Sequence, residues 1–425
     1  MEYAKAMEPV QMVSSTSDEV TIINRRDHTT LDDLKCEWSL TVDNNKPPEG
    51  GDLEMPSGIK PGATGKIKLP ALGELAGEAF VTLSFKLRSD TRWAKAGHEV
   101  AWLQAPVGNS KELRHSVKAP QDESHSSPFG VNVHGSSLKV RCQGSQWSFD
   151  LARGVLSSWE KDGTHMLTRD IEPSFYRAPT DNDAGGGDGR DWKDRFLHLA
   201  RLQTRNAEWR QEDSEVVVEI DQRFAPPVLS WSIVLRTKYQ FGKDGSVRIS
   251  VKGTPTGLNL PRTLPRIGVT LGLSKDMQRI EWFGRGPGES YKDMKLSQKI
   301  GRHAFSSIQD LWAEPEFPQE SSNRTDTYWL SLSETKGKKA SLTAQFFDPE
   351  GPTERRLFDF MACHYDVQDI DQAQHPYELE HKAKEEVILR LDADHHGLGT
   401  GSCGPKTFPE YTLLAQPFHF GVLLH

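Results

Sequence analysis

Apolar residues alternate with polar ones along many short stretches of this chain, and this period of two limits what it can fold into. Val, Leu and Phe occupy every second position of the stretch 81–87, which predicts a strand with one buried face. The same pattern predicts strands at 231–235, 247–251, 387–391 and 418–424. The 35 glycines and 25 prolines are typical of turns between such strands, so we expect an all-β protein.

The length of 425 residues is too great for one ordinary core and predicts more than one domain. A polar stretch with few strand signals covers residues 106–128, and we interpret it as a linker. It separates segment 20–105, which has the size of a small immunoglobulin-like sandwich, from segment 129–425, which is long enough for a large two-sheet sandwich. Residues 1–19 are expected to form a further linker.

Charge and cysteine content exclude some classes of function. The chain has 52 basic and 60 acidic residues without long runs of one sign, which argues against nucleic acid as a partner. Its cysteines lie far apart and lack metal-binding spacing, so we expect neither a disulfide framework nor a zinc site. No apolar run suits a signal peptide or a transmembrane span, so we expect a cytoplasmic protein without membrane contact.

The most unusual segment, Phe175–Asp183, is followed closely by Gly185, Gly186 and Gly187. Its Asp-x-Asp element is typical of a calcium-binding loop, but Trp192 stands where the EF-hand pattern needs a glutamate. We therefore expect no metal site here. Three glycines after a rigid Arg-Ala-Pro stretch predict a mobile loop on a fixed base, and a plain surface loop is the alternative.

Several blocks of residues resemble a known family. The string Phe-Tyr-Arg-Ala-Pro-Thr-Asp-Asn-Asp at 175–183 is similar to the signature that opens the C-terminal domain of β-galactosidases of glycoside hydrolase family 2. In that family the signature leads into a loop bordering the galactose pocket. Further similar blocks are Trp282–Tyr291, Pro315–Asp326, His364–Leu379 and His396–Pro405, the last two in their fungal form. Segments Leu34–Leu40, Pro56–Gly62 and Ala96–Trp102 resemble the sandwich domain that follows the family's barrel.

The resemblance covers about residues 2–425 and implies an immunoglobulin-like sandwich followed by a galactose-mutarotase-like supersandwich. It also implies a set of substrate-binding residues: Arg177, Asp181, Asn182, Asp183, Gly185, Ser402 and Cys403. In bacterial relatives a Trp that lines the substrate site occupies the place of Cys403, so the ring that would cover a sugar face is missing here. Alternatively, Arg177 and the cluster 181–183 pair with each other and hold a turn.

The family places its two catalytic carboxyl groups, about 5 Å apart, on a (β/α)8 barrel of about 250 residues. This chain has no such alternation of strands and helices, and Glu2–Val10 resembles the family's linker just after the barrel. We therefore expect no catalytic residue and no cofactor in this chain, the Mg and Na of the family being bound by the barrel domain. The expected partners are a β-galactoside sugar and either a barrel-bearing β-galactosidase chain or a second copy.

The resemblance implies a role in the hydrolysis of terminal non-reducing β-D-galactosides, by shaping the sugar pocket of a barrel. A non-catalytic carbohydrate-binding module is an alternative, because eleven tryptophans offer stacking surfaces. Four of them are nevertheless expected to fill cores: Trp38, Trp102, Trp147 and Trp159. A mutarotase-like activity, with His364 and Glu378 as base and acid, is a third possibility. We expect Glu289, Tyr291 and Asp293 to be structural.

Overall fold

A computed structural model of the chain describes residues 2–43, 49–73, 75, 77–107, 128–335 and 340–425. These residues form two compact units. The first contains residues 2–107, with the gaps just given, and residues 296–302; the second contains the remaining residues from 128 onwards. The expected linker 106–128 lies almost entirely outside the described residues.

The first unit is a small β-sandwich of antiparallel strands. Its described elements are helix α1 (Glu2–Ala6) and strands β1 (Val10–Ser15), β2 (Glu19–Asn24), β3 (Leu34–Val42), β4 (Glu49–Leu53), β5 (Thr64–Lys68), β6 (Ala79–Leu87) and β7 (Glu99–Val107). One sheet has the strand order β1-β2-β5 and the other has the order β4-β3-β6-β7. Val20 and Ile22 of the first sheet share one apolar core with Val81, Leu83 and Phe85 of the second.

Part of the expected linker 1–19 belongs to this sandwich. Strand β1 pairs with β2, and Val10 is fully buried in the core. Only this one of the six side chains in β1 is buried, so the alternation that marks strands in a sequence is absent. The distant segment 296–302 also joins the unit, where the Gln104 side chain exchanges two hydrogen bonds of 2.8 Å with the backbone of Ile300.

The second unit contains two ten-stranded antiparallel sheets, except that only residues 303–305 of strand β20 belong to this unit. Its first strands are β8 (Gly130–His134), β9 (Ser137–Cys142), β10 (Ser145–Asp150), β11 (Val155–Lys161), β12 (Thr164–His165), β13 (Leu167–Ser174), β14 (Arg201–Gln211), β15 (Glu215–Ala225), β16 (Ser232–Gly242) and β17 (Val247–Thr256). The later strands are β18 (Arg266–Leu273), β19 (Arg279–Gly286), β20 (Lys299–Phe305), β21 (Arg324–Thr327), β22 (Trp329–Ser333), β23 (Ser341–Asp348), β24 (Gly351–Arg356), β25 (Phe358–Cys363), β26 (Val387–His395) and β27 (Phe418–Leu424).

One sheet has the order β21-β25-β26-β18-β13-β11-β10-β9-β8, with β12 beside β11. The other has the order β14-β15-β16-β17-β27-β23-β22-β19-β20, with β24 beside β23. Helices α2 (Asp181–Gly186) and α3 (Asp188–Asp194) lie between β13 of the first sheet and β14 of the other. Helices α4 (Val367–Gln372) and α5 (Pro376–Glu380) connect β25 and β26 within the first sheet. Single 3-10 turns occur at Leu197–Leu199, Ile308–Leu311 and Pro409–Tyr411.

The apolar core of this unit lies between the two sheets. Trp147 of β10 packs on Phe241 of β16 with 5.2 Å between ring centroids, and both are fully buried. Trp159 is also fully buried, as expected, whereas Trp38 and Trp102 of the first unit are half-buried.

The stretches predicted from alternation all lie in or directly beside strands, namely β6, β16, β17, β26 and β27. The all-β class, a small sandwich followed by a large two-sheet sandwich, is confirmed. Among the described helices, none has the length and apolarity needed to cross a lipid bilayer.

Candidate functional site

Helix α2 occupies the place where a glycine-rich loop was expected. The Thr180 hydroxyl accepts a hydrogen bond from the Asp183 N–H at 3.1 Å, and the Asp183 carboxylate accepts one from the Thr180 N–H at 2.8 Å. This capping box starts the helix, and Gly187 ends it in the left-handed region at φ 89°. The loop prediction is wrong because the capping box supports a helical turn that includes two glycines of poor helix propensity.

The glycines of α2 allow a close approach to the segment 399–403. A Cβ atom on Gly185 would lie 2.4 Å from the Gly401 carbonyl oxygen, which no side chain could occupy. Asn182 joins the two segments: its Nδ2 donates to the Gly399 carbonyl at 2.9 Å, and its Oδ1 accepts from the Ser402 hydroxyl at 2.7 Å. We call the surface formed by Asp181, Asn182, Gly185, Ser402 and Cys403 the α2 edge.

The side chain of Arg177 joins helix α2 to the backbone at residues 396–397. Its guanidinium is fully buried and donates to both carboxylate oxygens of Asp183, at 2.7 Å to Oδ1 and 3.2 Å to Oδ2. It also donates to the backbone carbonyls of His396, at 2.7 Å, and Gly397, at 3.2 Å. Bidentate charge-assisted hydrogen bonds of this kind are strong and geometrically specific. One side chain therefore sets the position of α2 relative to the segment that carries Ser402 and Cys403.

Two further side chains support the α2 edge and were not singled out as site residues from the sequence. Asp293 accepts hydrogen bonds from the N–H groups of Leu398, at 2.9 Å, and Gly399, at 2.7 Å. The Gln319 side chain accepts from the Asp181 N–H and donates to its carboxylate, at 3.0 and 3.1 Å. The sequence signal that could have identified both residues is their position inside or beside segments that resemble the family. Asp293 is structural, as expected.

Beneath the α2 edge lies a set of buried ionisable side chains that we call the charged core: Arg177, Asp183, Arg266, Glu320, Asp392 and His395. Arg266 donates from Nε to Asp392 Oδ1 at 2.9 Å. Burial raises the pKa of Asp392 to about 6 and also raises that of Glu320. Burial, reinforced by Arg177 and Arg266, holds the pKa of His395 well below its usual range. His395 is therefore neutral and accepts the hydrogen bond that joins Arg177 to its Nδ1 at 3.0 Å.

The structure divides the seven expected substrate-binding residues into two groups. Arg177 and Asp183 are buried and paired with each other. This is what the alternative hypothesis, in which they pair and hold a turn, predicts. Asp181, Gly185, Ser402 and Cys403 are exposed, and Asn182 is half-buried between them. Contact of any of these residues with a sugar stays a prediction.

The acid and base considered for a mutarotase-like activity have separate partners. His364 Nδ1 lies 2.9 Å from the Glu386 carbonyl oxygen, and Glu378 accepts a hydrogen bond from the Gln374 N–H. The described residues show no contact between His364 and Glu378. Across the same part of the chain, no three His, Cys, Asp or Glu side chains gather closely enough to hold a metal ion.

Two family models match the chain. The model described as β-galactosidase small chain matches residues 141–424, and the model described as β-galactosidase, domain 4, matches residues 20–108. The chain belongs to the β-galactosidase family. The two matches also follow the division into a small and a large sandwich that the strand pattern indicated.

Curated β-galactosidases align with almost the whole chain. The enzyme from Kluyveromyces lactis is 29% identical over 99% of this chain, and that from Vibrio cholerae is 27% identical over 98%. The chain spans 37% and 38% of the length of these two relatives. Among solved structures, the galactose 1-epimerase from Lactobacillus acidophilus covers 70% of this chain at 9% identity and a TM-score of 0.33, too low a likeness to bear on function.

Proposed function

We propose that this β-galactosidase-family chain forms one wall of a sugar pocket and so contributes to the hydrolysis of terminal non-reducing β-D-galactosides. The two catalytic carboxyl groups that such a reaction needs, about 5 Å apart, would come from a barrel-bearing region outside these residues. That region would belong to the same protein or to a partner chain. The Mg and Na of the reaction would be bound by the barrel, and we assign this chain no metal.

The observation that carries the proposal is the rigid mounting of the α2 edge. The exposed surface is formed by two segments more than 200 residues apart in sequence, and hydrogen bonds of Asn182 and Arg177 join them. Asp293, from a third segment, holds the backbone of Gly399. Precise placement of side chains by supporting hydrogen bonds is typical of binding sites, because a loosely held group pays a larger ordering cost when the ligand binds.

The residues of the edge would have different tasks. Asn182 and Ser402 bond to each other and so hold the edge together, whereas the Asp181 carboxylate and the Cys403 thiol face solvent. Asp181 would accept a hydrogen bond from a sugar hydroxyl. The small Cys403 side chain would leave room for the part of the substrate beyond the galactose ring, where a larger aromatic side chain would close the space.

A cytoplasmic location is part of the proposal. None of the four cysteines is in a disulfide bond, and Cys36, Cys142 and Cys363 are buried while Cys403 is exposed. An exposed unpaired thiol persists more readily in a reducing compartment than in an oxidising one.

The proposal is tested by hydrolysis of a chromogenic β-galactoside. The purified chain would be assayed alone and after mixing with the upstream remainder of the Kluyveromyces lactis β-galactosidase, expressed separately. We expect activity only in the mixture. Activity of the chain alone would contradict the absence of catalytic carboxylates, and inactivity of a mixture in which the two parts bind each other would contradict the pocket-shaping role.

A pair of matched variants tests the role of the edge itself. Asp181→Asn is expected to lower kcat/KM of the mixture about tenfold, or ~1.4 kcal/mol, the size of a hydrogen bond to a charged group. Asp194→Asn is the control, because Asp194 is also an exposed carboxylate at a short helix nearby and pairs only loosely with Arg190, at 3.6 Å. Equal effects of the two variants would contradict the role of Asp181.

A further inference from the structure

A separate cavity of about 310 Å³ lies beside strand β13 in the second unit. It is bounded by the stretch Glu172–Tyr176, by the segment around the 197–199 turn and by the start of helix α4. None of the residues that form the α2 edge lines it. Cavities of this size are at the lower end of the range that holds small ligands.

Several polar side chains of this cavity lack protein partners among the described residues. The side chains of Glu172, Ser174, Thr270 and Gln368 make no hydrogen bond or ion pair with the described residues. Nδ1 of His198 is buried and has no hydrogen-bond partner in that part of the chain. Glu172 and Gln368 are exposed and Ser174 and Thr270 are half-buried, so their polar groups are open to a ligand as well as to water. Buried polar atoms normally have partners, so the buried Nδ1 of His198 is the group that points to a ligand.

The charges around the cavity balance, which indicates a neutral ligand. Arg169 pairs with both Asp366 and Glu386, so its charge is already neutralised. Partial burial and the nearby Asp170 raise the pKa of the Glu172 carboxyl, and the charges of Arg153 and Arg201 oppose that rise. Burial lowers the pKa of His198, so its ring is uncharged at neutral pH. Arg390 also lines the cavity; it is buried and donates to the Tyr365 carbonyl at 3.0 Å. The cations Arg169, Arg201 and Arg390 are thus matched in number by the carboxylates Glu172, Asp366 and Glu386, and a phosphate or carboxylate would upset this balance.

The cavity also has an apolar side. Phe224 lines it and packs against Phe175 with 4.9 Å between ring centroids, and Leu202 and Ile388 lie beside it. A flat apolar surface opposite a ring of hydroxyl, amide and carboxylate groups matches a pyranose, whose faces are apolar and whose rim carries hydroxyls that both donate and accept.

We propose that this cavity binds a neutral monosaccharide in its pyranose form, at a site separate from the α2 edge. Glu172 and His198 accept hydrogen bonds from sugar hydroxyls, and Ser174, Thr270 and Gln368 provide hydroxyl and amide groups around the rim. The site does not depend on a barrel, so it is expected to bind sugar in the chain by itself.

NMR tests this site. The methyl-labelled chain is titrated with galactose and, separately, with glucose. We expect saturable shifts of the methyl signals of Leu197, Leu202 and Ile388, with a dissociation constant in the millimolar range. The Ala184 methyl, which lies on α2, reports on the α2 edge and separates the two sites. Cavity methyls that stay unchanged up to the solubility limit of both sugars would overturn the proposal, as would shifts confined to Ala184.

Substitutions within the cavity sharpen the test. Glu172→Gln keeps the shape of an exposed side chain and is expected to raise the dissociation constant about tenfold, which corresponds to ~1.4 kcal/mol. Thr270→Val, which replaces one hydroxyl by a methyl, is expected to raise it a few-fold. Glu160→Gln, on the neighbouring strand β11 and outside the cavity, is the matched control and leaves it unchanged. A Glu172→Gln chain that binds as tightly as the control, or tighter binding of glucuronate than of glucose, would overturn the proposal.

Discussion

The two faces of strand β26 contact two different kinds of core. Leu389 and Leu391 point between the two sheets into the apolar core, whereas Arg390 and Asp392 point to the opposite face, and all four are buried. The apolar side stabilises the fold through burial alone. On the other side, the desolvation cost of ions largely offsets their attraction, so the pair of Asp392 with Arg266 adds little net stability. The charged core therefore holds segments of the chain in place more than it stabilises the fold. The segments that it holds are those that carry the α2 edge.

The largest expected effect comes from leaving one charge of this core unpaired. Arg177→Met leaves the Asp183 carboxylate buried without its cationic partner. This change is expected to destabilise the second unit by about 3–5 kcal/mol. Urea unfolding followed by tryptophan fluorescence measures this, because eight of the eleven tryptophans lie in the second unit. The control Arg190→Met breaks an exposed pair and should cost under about 0.5 kcal/mol. Similar unfolding curves for both variants would contradict the difference between buried and exposed pairs.

The second-largest effect is expected on the apolar face of strand β26. Leu389→Ala removes a fully buried side chain from the apolar core and is expected to cost about 2–5 kcal/mol in the free energy of unfolding. In the reconstituted mixture, the remaining folded Leu389→Ala protein should keep its KM for the β-galactoside, since the α2 edge is untouched. A raised KM would show that the two cores are not independent.

The pH dependence of stability distinguishes the two cores further. Asp359 lies beside the charged core, and burial raises its pKa from 3.8 to about 7, although Thr325 donates a hydrogen bond to it. A carboxyl with a raised pKa favours the folded state below its unfolded pKa, and this stability is lost as the pH rises towards 7.

Asp359→Asn removes that titration. Its unfolding free energy, relative to that of the unmodified chain, is therefore expected to increase by a few kcal/mol between about pH 4 and pH 7. The exposed Asp213→Asn variant is the comparison and should follow the unmodified chain at every pH. Parallel curves for Asp359→Asn and the unmodified chain would mean that this carboxyl is ionised in the folded protein throughout.

The smallest effect on stability is expected at the α2 edge. Ser402→Ala removes the hydroxyl that donates to Asn182, on an exposed segment, and should cost about 0.5–1.5 kcal/mol. Its effect on kcat/KM in the reconstituted mixture should nevertheless exceed that of Leu389→Ala, because it loosens the edge. The reverse order would contradict the assignment of the edge to the sugar pocket.

The apolar core was predictable from the sequence, whereas the charged core was not. Leu389 and Leu391 follow a period of two, which local alternation reveals. Arg390 and Asp392 alternate with these leucines and are of the charged types that normally face solvent. They can be buried only because residues distant in the sequence pair with them. The same holds for α2: Gly185 indicated a loop, and its close contact with Gly401 depends on a segment more than 200 residues away in sequence. Strand β1 was missed because only Val10 of its residues is buried.

Protection of the Cys403 thiol from a labelling reagent tests whether the α2 edge lines the sugar pocket. Cys403 is the exposed one of the four cysteines, so a thiol reagent should label it first in the folded protein. In the reconstituted mixture, a non-hydrolysable β-thiogalactoside is expected to slow this labelling at concentrations that inhibit hydrolysis. Unchanged labelling of Cys403 while the inhibitor blocks hydrolysis would contradict the placement of the α2 edge at the sugar pocket.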